Sequence, residues 1–200
     1  MHLTSLAEIR SELGFDSMTD INAAIGAALD AAEVQLAAAL NTDFSRATHK
    51  DTFWVYRPTF MQHNHAKTEF QLSRGFLTEK PIVTTEALTI DPENIEVDLE
   101  KGIVRDWTHI YSRAHVVFTY TYGFEATDDV DPDGNPVQYD LTQVPRWLQQ
   151  AAKLTAYLHL VNSAAINEAG VSIDADGITK QLQALMPSHL RYAPIALHPL

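Results

Sequence analysis

The residues of this chain with the clearest potential for chemistry form an acidic loop between positions 129 and 140. In the loop sequence DVDPDGNPVQYD, carboxylates occupy positions 1, 3, 5 and 12 and glycine occupies position 6; the carboxylates are Asp129, Asp131, Asp133 and Asp140. This spacing is typical of a calcium-binding loop, because a hard cation prefers several carboxylate oxygens and the glycine permits a sharp turn. One hypothesis is therefore a calcium-dependent binding or adhesion module.

Other features of the same loop favour an ordinary exposed connection. Pro132 and Pro136 stiffen it, position 12 is Asp140 where glutamate is usual, and a strand precedes it where a helix belongs. Runs of Asp, Pro and Gly between a strand and a helix are commonly surface loops. Both hypotheses stay open at this stage, and the sequence assigns no cofactor.

The remaining candidates for catalysis or metal binding lack partners at a recognisable spacing. His63 and His65 could place two imidazoles on one side of a strand, but the missing third ligand favours solvent-exposed loop histidines over a metal site. His109 and His115 flank a central strand, with no serine or aspartate at a known spacing. The chain has no cysteine and no G-x-S-x-G, phosphate-loop, G-x-G-x-x-G or H-E-x-x-H motif. We therefore expect a protein that is not an enzyme.

Composition and charge restrict the class of protein further. Two hundred residues, 46% of them hydrophobic and 20% charged, are typical of a globular domain with its own core. The net charge of −12, from 14 basic and 26 acidic residues, disfavours tight nucleic-acid binding but allows DNA to slide past. Without a basic leader or a run of about 18 apolar residues, we expect a protein made in a cytoplasm with no membrane partner.

The hydrophobic pattern predicts an α+β fold. Helices are expected over 5–13, 20–40, 144–167 and 176–186, which makes a small bundle of two N-terminal helices, one long C-terminal helix and one short helix. A mostly antiparallel β-sheet, of about five or six strands, is inserted over 52–124, with one strand over 84–90 and a hairpin turn at 100–102 that ends in glycine. The helix over 20–40 is rich in alanine, which is typical of a core helix or of a helix that also contacts a second subunit.

One strand and the helix after it position much of this fold. Over 116–124, Val116, Phe118, Tyr120 and Tyr122 share one face, and smaller residues share the other. The apolar stripe predicted for the helix over 144–167 consists of Trp147, Ala151, Leu154, Leu158, Val161 and Ala165.

The last residues of the chain read as an extended arm. Three prolines among the final fourteen residues exclude a regular helix, yet the segment is too apolar to be solvated. Such a segment needs a groove, which could belong to its own domain, although we expect a partner to provide it. The arm covers residues 188–200, and its expected contact residues are Leu190, Tyr192, Pro194, Ile195, Leu197 and Leu200.

Two motifs resemble a known family. The strand end TYTYGF at residues 119–124, followed by Val144 and Pro145 at the start of a helix, resembles the head–tail connector (adaptor) proteins of tailed bacteriophages. The likeness covers most of residues 4–167 and is specific at this junction, although the β region and the loop over 125–143 are longer than the family pattern.

The resemblance implies a non-enzymatic virion protein of the neck, made in the host cytoplasm. Residues 1–187 would form a single connector domain, and the arm over 188–200 would bind the portal protein. The ring, of about twelve subunits, would also contact a tail-side neck or tail-terminator protein. DNA would pass through its channel without specific binding.

Overall fold

The computed structural model of the protein describes residues 1–15, 21–55, 68–86, 89–106, 114–128, 137–161 and 163–186. The helices among these residues are α1 (Leu6–Glu12), α2 (Asn22–Leu40), α3 (Arg146–Leu160), α4 (Ala164–Glu168) and α5 (Ala175–Leu185). The strands are β1 (Ala47–Val55), β2 (Thr68–Gln71), β3 (Ile82–Thr85), β4 (Thr89–Ile90), β5 (Ile95–Asp98), β6 (Ile103–Asp106) and β7 (Ala114–Tyr122). This content confirms the predicted α+β class.

The described residues divide into two compact units. The helical unit contains Met1–Leu40 and the described chain from Phe124 onward, and the sheet unit contains Asn41–Gly123. The single domain predicted over 1–187 stays a prediction, and the arm predicted over 188–200 lies outside the described residues.

Two short helices of the helical unit begin where local chemistry places them. Ser5 is the N-cap of α1, and its hydroxyl accepts a hydrogen bond from the Glu8 N–H at 3.4 Å. Asp174 caps α5 in the same way, accepting from the Gly177 N–H at 3.0 Å. A side-chain oxygen at this position satisfies a backbone donor that has no partner within the helix. Both helices therefore lie within about one residue of their predicted bounds, the usual uncertainty of helix ends.

The alanine-rich helix α2 has one buried side and one exposed side. The buried residues are Ile25, Ala28, Leu29, Ala32, Leu36 and Leu40. Ala23, Ala27 and Val34 lie on the exposed side. Among the described helices, α2 alone is long and apolar enough to cross a membrane, but core helices pass the same test. Its packed side identifies α2 as a core helix.

The single long helix predicted over 144–167 is wrong. α3 ends at Leu160, where the Ser163 N–H donates to the Leu160 carbonyl at 2.9 Å. α4 begins directly after Ser163, whose carbonyl accepts from the Asn167 N–H at 3.1 Å. Serine favours the position before a helix, because its hydroxyl competes for backbone partners inside one. The apolar spacing continues through this break and so does not reveal it.

The apolar stripe predicted for this helix is also only partly correct. Trp147 and Leu158 are half-buried, whereas Leu148 and Ala152, which the stripe omitted, are buried. The buried residues of α3 are Leu148, Ala151, Ala152, Leu154, Thr155, Ala156 and Leu160. α3 contacts both α2 and α5, so its apolar surface is wider than one stripe.

The antiparallel β region predicted over 52–124 is confirmed, but its described strands form two sheets instead of one. A four-stranded sheet has the order β1-β7-β3-β4, and a three-stranded sheet has the order β2-β6-β5. The strand predicted over 84–90 is a pair, β3 and β4, with Val83 opposite Ile90. Period-two hydrophobicity does not reveal this reversal, since no glycine or proline marks it. The hairpin turn predicted at 100–102 is confirmed, with Gly102 at φ +63° between β5 and β6.

The alternation predicted for the central strand is confirmed. Val116, Phe118, Tyr120 and Tyr122 are buried, and the residues between them are half-buried. The buried face of β7 packs in one cluster with Phe70, Leu72, Leu77, Val83, Ile95 and Val104. β7 is thus the strand on which the core of the sheet unit is built.

Candidate functional site

Two tyrosines of β7 each donate a hydrogen bond to a carboxylate. The Tyr120 hydroxyl donates to Asp51 Oδ2 at 2.7 Å, and the Tyr122 hydroxyl donates to Asp43 Oδ2 at 3.0 Å. Burial, and then the neighbouring carboxylate, raises the pKa of both phenols. Both side chains therefore remain protonated and act as donors.

The segment after β2 joins the same group of side chains. The Ser73 N–H and hydroxyl both donate to the Asp51 carboxylate, at 2.7 and 2.8 Å. The Arg74 N–H donates to the Tyr120 oxygen at 3.3 Å, and Arg74 Nε lies 3.8 Å from Asp43 Oδ2. These side chains form a polar cluster, which consists of Asp43, His49, Asp51, Ser73, Arg74, Tyr120 and Tyr122. The polar cluster connects the segment after β2 with β1 and β7.

The polar cluster contains serine, histidine and aspartate but does not have the order of a catalytic triad. His49 Nε2 lies 3.4 Å from Asp51 Oδ1, the same oxygen that accepts from Ser73. In a triad the histidine stands between the other two residues and takes the serine proton. Here the aspartate stands between them, and the Ser73 hydroxyl donates to the carboxylate rather than to the histidine. The cluster stabilises the sheet unit, and the absence of enzymatic activity stays a prediction.

The glycine of the TYTYGF motif has a specific packing role. Gly123 has φ +81°, and a Cβ atom there would lie 2.5 Å from the Ser45 carbonyl oxygen and 2.7 Å from that of Phe44. Its N–H donates to the Phe76 carbonyl at 2.9 Å. A side chain would break this close approach, so only glycine fits the position.

The Val-Pro motif closes the first turn of α3. Pro145 is the N-cap with φ −56°, and its carbonyl accepts from the Leu148 and Gln149 N–H groups at 2.9 and 3.1 Å. The Gln149 amide donates to the carbonyls of Leu141 and Val144, both at 2.8 Å. Val144 and Leu148 are buried. The motif thus determines where α3 begins.

The acidic loop is closed at its base by backbone pairing. The Thr127 N–H donates to the Gln138 carbonyl at 3.0 Å, and the Asp140 N–H donates to the Glu125 carbonyl at 2.7 Å. Asp140, the last of the predicted calcium ligands, therefore faces Glu125 across the base. Asp129, Asp131 and Asp133 lie outside the described residues.

Both carboxylate oxygens of Asp140 already accept hydrogen bonds. Oδ1 accepts from the Thr142 hydroxyl at 2.7 Å and from its N–H at 3.0 Å, and Oδ2 accepts from Gln143 Nε2 at 3.0 Å. The bond from the Thr142 hydroxyl is the first cause that lowers the pKa of Asp140. No group of three potential metal ligands occurs among the described residues. The calcium site stays a prediction.

The other predicted site residues are only partly described. The arm, with its contact residues Leu190, Tyr192, Pro194, Ile195, Leu197 and Leu200, lies outside the described residues, as do His63, His65 and His109. His115 is described. Its ring packs edge-on against Trp54, with 4.3 Å between ring centroids.

Sequence reasoning missed several exposed large hydrophobic side chains. Val34 on α2 is 71% exposed, Ile82 on β3 is 62% exposed and Trp54 on β1 is 53% exposed. A signal for two of them was present, because neighbours in a strand point to opposite faces. Once Phe53 and Val83 face the core, Trp54 and Ile82 must face outward.

No protein-family model and no curated protein matches this chain. Among solved structures, the chain is similar to one described as the neck of an empty GTA particle, computed with C6 symmetry. The two share 15% identity with a TM-score of 0.48, over 98% of this chain and 94% of that chain. A similarity at this identity and score assigns no function by itself.

Proposed function

We propose that this protein is a non-enzymatic head–tail connector of a tailed-phage particle. It forms a ring between the portal protein and a tail-side neck or tail-terminator protein, and it resides in the neck of the virion. The observation that carries the proposal is the pair of motifs at residues 119–124 and at Val144 and Pro145. Tyr120 and Tyr122 hold the polar cluster, Gly123 permits a close backbone approach, and Pro145 closes the first turn of α3.

These structural roles support the resemblance, because few other residue types could replace the motif residues in them. Tyrosine combines a large buried ring with a hydroxyl donor. Glycine alone accepts φ +81° beside two carbonyl oxygens. A motif with these constraints specifies a fold. The two motifs occur in the order that the connector family has, which favours that family over a chance match.

Assembly would use two surfaces of each subunit, one on α2 for the ring and one on the C-terminal arm for the portal. The exposed side of α2, with Val34, would contact the next subunit, and α3, which packs against α2, would support this contact. A ring of identical subunits uses a head-to-tail interface between two different surfaces. Because each subunit carries a net charge of −12, the ring would let DNA pass without binding its phosphates tightly.

The arm over 188–200 would bind the portal. Thirteen extended residues reach roughly 45 Å, enough to lie along a groove of a neighbouring protein. The side chains proposed for this contact are Leu190, Tyr192, Pro194, Ile195, Leu197 and Leu200. Strand-like or extended peptides bind such grooves through alternate side chains.

The test is co-sedimentation with assembled portal rings from the same particle. The full chain is compared with a chain truncated after Met186, and with a triple variant, Tyr192→Ser, Ile195→Ser and Leu197→Ser. A matched control changes polar arm residues, His189→Ser and His198→Ser. We expect the full chain and the control to bind, and the truncated chain and the triple variant to be lost from the pellet.

Binding by all four proteins would keep the connector function and move the portal contact to the helices. Failure of the full chain to bind, with its melting transition intact, would overturn the proposed function.

A further inference from the structure

The outer face of the four-stranded sheet has an unusual composition. The register of β1 with β7 and of β7 with β3 places one set of residues on this face, opposite the buried set that contains Phe118. The outward residues are Thr48, Lys50, Thr52 and Trp54 on β1, His115, Val117, Thr119 and Thr121 on β7, and Ile82 and Thr84 on β3. The name outer face is used below for these ten residues.

The outer face carries large apolar side chains in contact with solvent. An antiparallel sheet that is covered on one side usually presents polar residues on the other. Here Trp54 and Ile82 are exposed, and Val117 is half-buried between them. Burying side chains of this size removes apolar area from water and so stabilises an interface.

The two exposed apolar side chains, Trp54 and Ile82, lie at opposite corners of one patch, and Val117 lies between them. The pairing aligns Lys50, Thr119 and Ile82 in one row, and Trp54 with His115 in a row farther along β1. Adjacent strands lie about 4.8 Å apart and each residue advances about 3.4 Å. The surface therefore measures roughly 10 by 14 Å between Cα atoms, which matches the width of an α-helix, about 10 Å.

The charge of the outer face is opposite to that of the protein. Lys50 is the one residue of this set with a formal charge, and the set contains no carboxylate, whereas the chain as a whole carries −12. An occupant with an apolar centre and an adjacent carboxylate would match it. A single lysine does not favour nucleic acid, since that binding requires several phosphate contacts.

We infer that the outer face binds a second copy of this chain, through the exposed side of the second copy's α2. Val34 of that helix is the most exposed large hydrophobic side chain among the described residues, and Asp30 lies one turn before it and is exposed. Docking would place Val34 of one copy over Val117 of the other, between Trp54 and Ile82, and Asp30 near Lys50. The inference rests on the ring proposed above and identifies its two complementary surfaces.

The association of two different surfaces allows a decisive test by charge reversal. Lys50→Glu would oppose two carboxylates at each interface, and Asp30→Lys would oppose two ammonium groups. Each single variant is expected to self-associate at least about tenfold more weakly than the parent chain, since like charges at an interface repel. An equimolar mixture of the two variants pairs opposite charges at every interface, and so does the double variant.

The measurement is sedimentation velocity of the full chain and its variants over a range of concentrations, with melting temperatures as the folding control. We expect each single variant to be dissociated and both the mixture and the double variant to reassemble. Trp54→Ala is expected to weaken assembly, whereas Leu99→Ser, a partly exposed apolar residue outside the outer face, is not.

Assembly that is unchanged by Lys50→Glu and Trp54→Ala would overturn the inference, and so would a parent chain that stays monomeric at every concentration. Neither result decides the proposed function, because portal co-sedimentation measures that separately. A chain that fails both experiments would defeat the two proposals together.

Discussion

Tyr120 of β7 donates its phenol hydrogen to the carboxylate of Asp51 on the adjacent strand β1, with 2.7 Å between the oxygen atoms. The two residues are 69 positions apart in the chain, and Ser73 binds the same carboxylate from a third segment. This contact joins three parts of the sheet unit at one carboxylate.

Tyr120→Phe is expected to lower the free energy of unfolding by about 1–3 kcal/mol, because it removes one donor from a largely covered carboxylate. Tyr122→Phe is the matched control, since its acceptor Asp43 is 51% exposed and water can replace the phenol, whereas Asp51 is only 13% exposed. Urea unfolding measures the loss of unfolding free energy in each variant. Equal losses in Tyr120→Phe and Tyr122→Phe would show that burial of Asp51 does not determine the energy of this contact.

Gly123→Ala is expected to destabilise the protein by about 3 kcal/mol, through positive φ and overlap with two backbone oxygens. Gly26→Ala is the control. Gly26 lies inside α2 with no atom within 4 Å of an added Cβ, so alanine should stabilise by about 0.5–1 kcal/mol. Thermal unfolding of the two variants should therefore shift in opposite directions, and a neutral Gly123→Ala would contradict the packing found here.

Stability should depend on pH through Glu12. Lys153 donates to Glu12 at 2.8 Å and to Glu8 at 2.9 Å, and Tyr157 also donates to Glu12. The bond from Lys153 and then that from Tyr157 lower the pKa of Glu12 below its ordinary 4.5. A lowered pKa stabilises the folded state above pH 4.5, and this contribution is lost as the pH falls through the folded-state value.

The corresponding variant is Glu12→Gln. It should be less stable than the parent at neutral pH, and the difference in unfolding free energy should shrink as the solution is acidified below pH 4.5. Urea unfolding at a series of pH values measures it. A difference that does not change with pH would mean that the ionised carboxylate is not the stabilising form.

Glu33 should show the opposite dependence. It accepts from the hydroxyl of the buried Tyr139 at 2.7 Å, and burial raises the pKa of Glu33 above 4.5. A raised pKa favours the folded state below pH 4.5, and this contribution is lost as the pH rises through the folded-state value. The glutamine of Glu33→Gln does not ionise. The stability of this variant relative to the parent should therefore increase as the pH rises through the folded-state pKa of Glu33. The same urea series tests it, and a constant difference would refute the assignment.

Calcium should leave the melting temperature unchanged. A cation that binds only the folded state raises stability, but ligation by Asp140 would sacrifice its hydrogen bonds to Thr142 and Gln143. Thermal unfolding with millimolar calcium or with a chelator makes the comparison. A melting temperature that rises with calcium in the parent chain, but in neither Asp131→Asn nor Asp133→Asn, would instead support the calcium hypothesis.

Local features of the fold could be predicted from the sequence because their causes lie within a few residues. Ser5 caps α1, Gly102 turns the β5–β6 hairpin, and alternation along β7 assigns Phe118 to the core. Each depends on the dihedral preference of one residue type or on side-chain periodicity, and both can be read from the sequence.

Features that depend on distant segments could not be predicted in this way. No spacing rule connects Asp51 with Tyr120, and the close approach of Phe44 to Gly123 depends on the paths of two separate segments. The end of α3 at Leu160 escaped prediction for a different reason, since the apolar period runs on through the break.

By itself the sequence determined the α+β class, the bounds of the short helices, the two faces of β7 and the motifs that resemble connectors. Only the tertiary structure decided that the strands divide into two sheets, that Ser73 and His49 share an aspartate, and that Trp54 and Ile82 lie on one uncovered surface. The physical reason is the range of the interactions. Helix caps, turns and side-chain alternation are satisfied by neighbours in the chain, whereas strand partners and polar clusters are selected by packing between residues far apart in sequence.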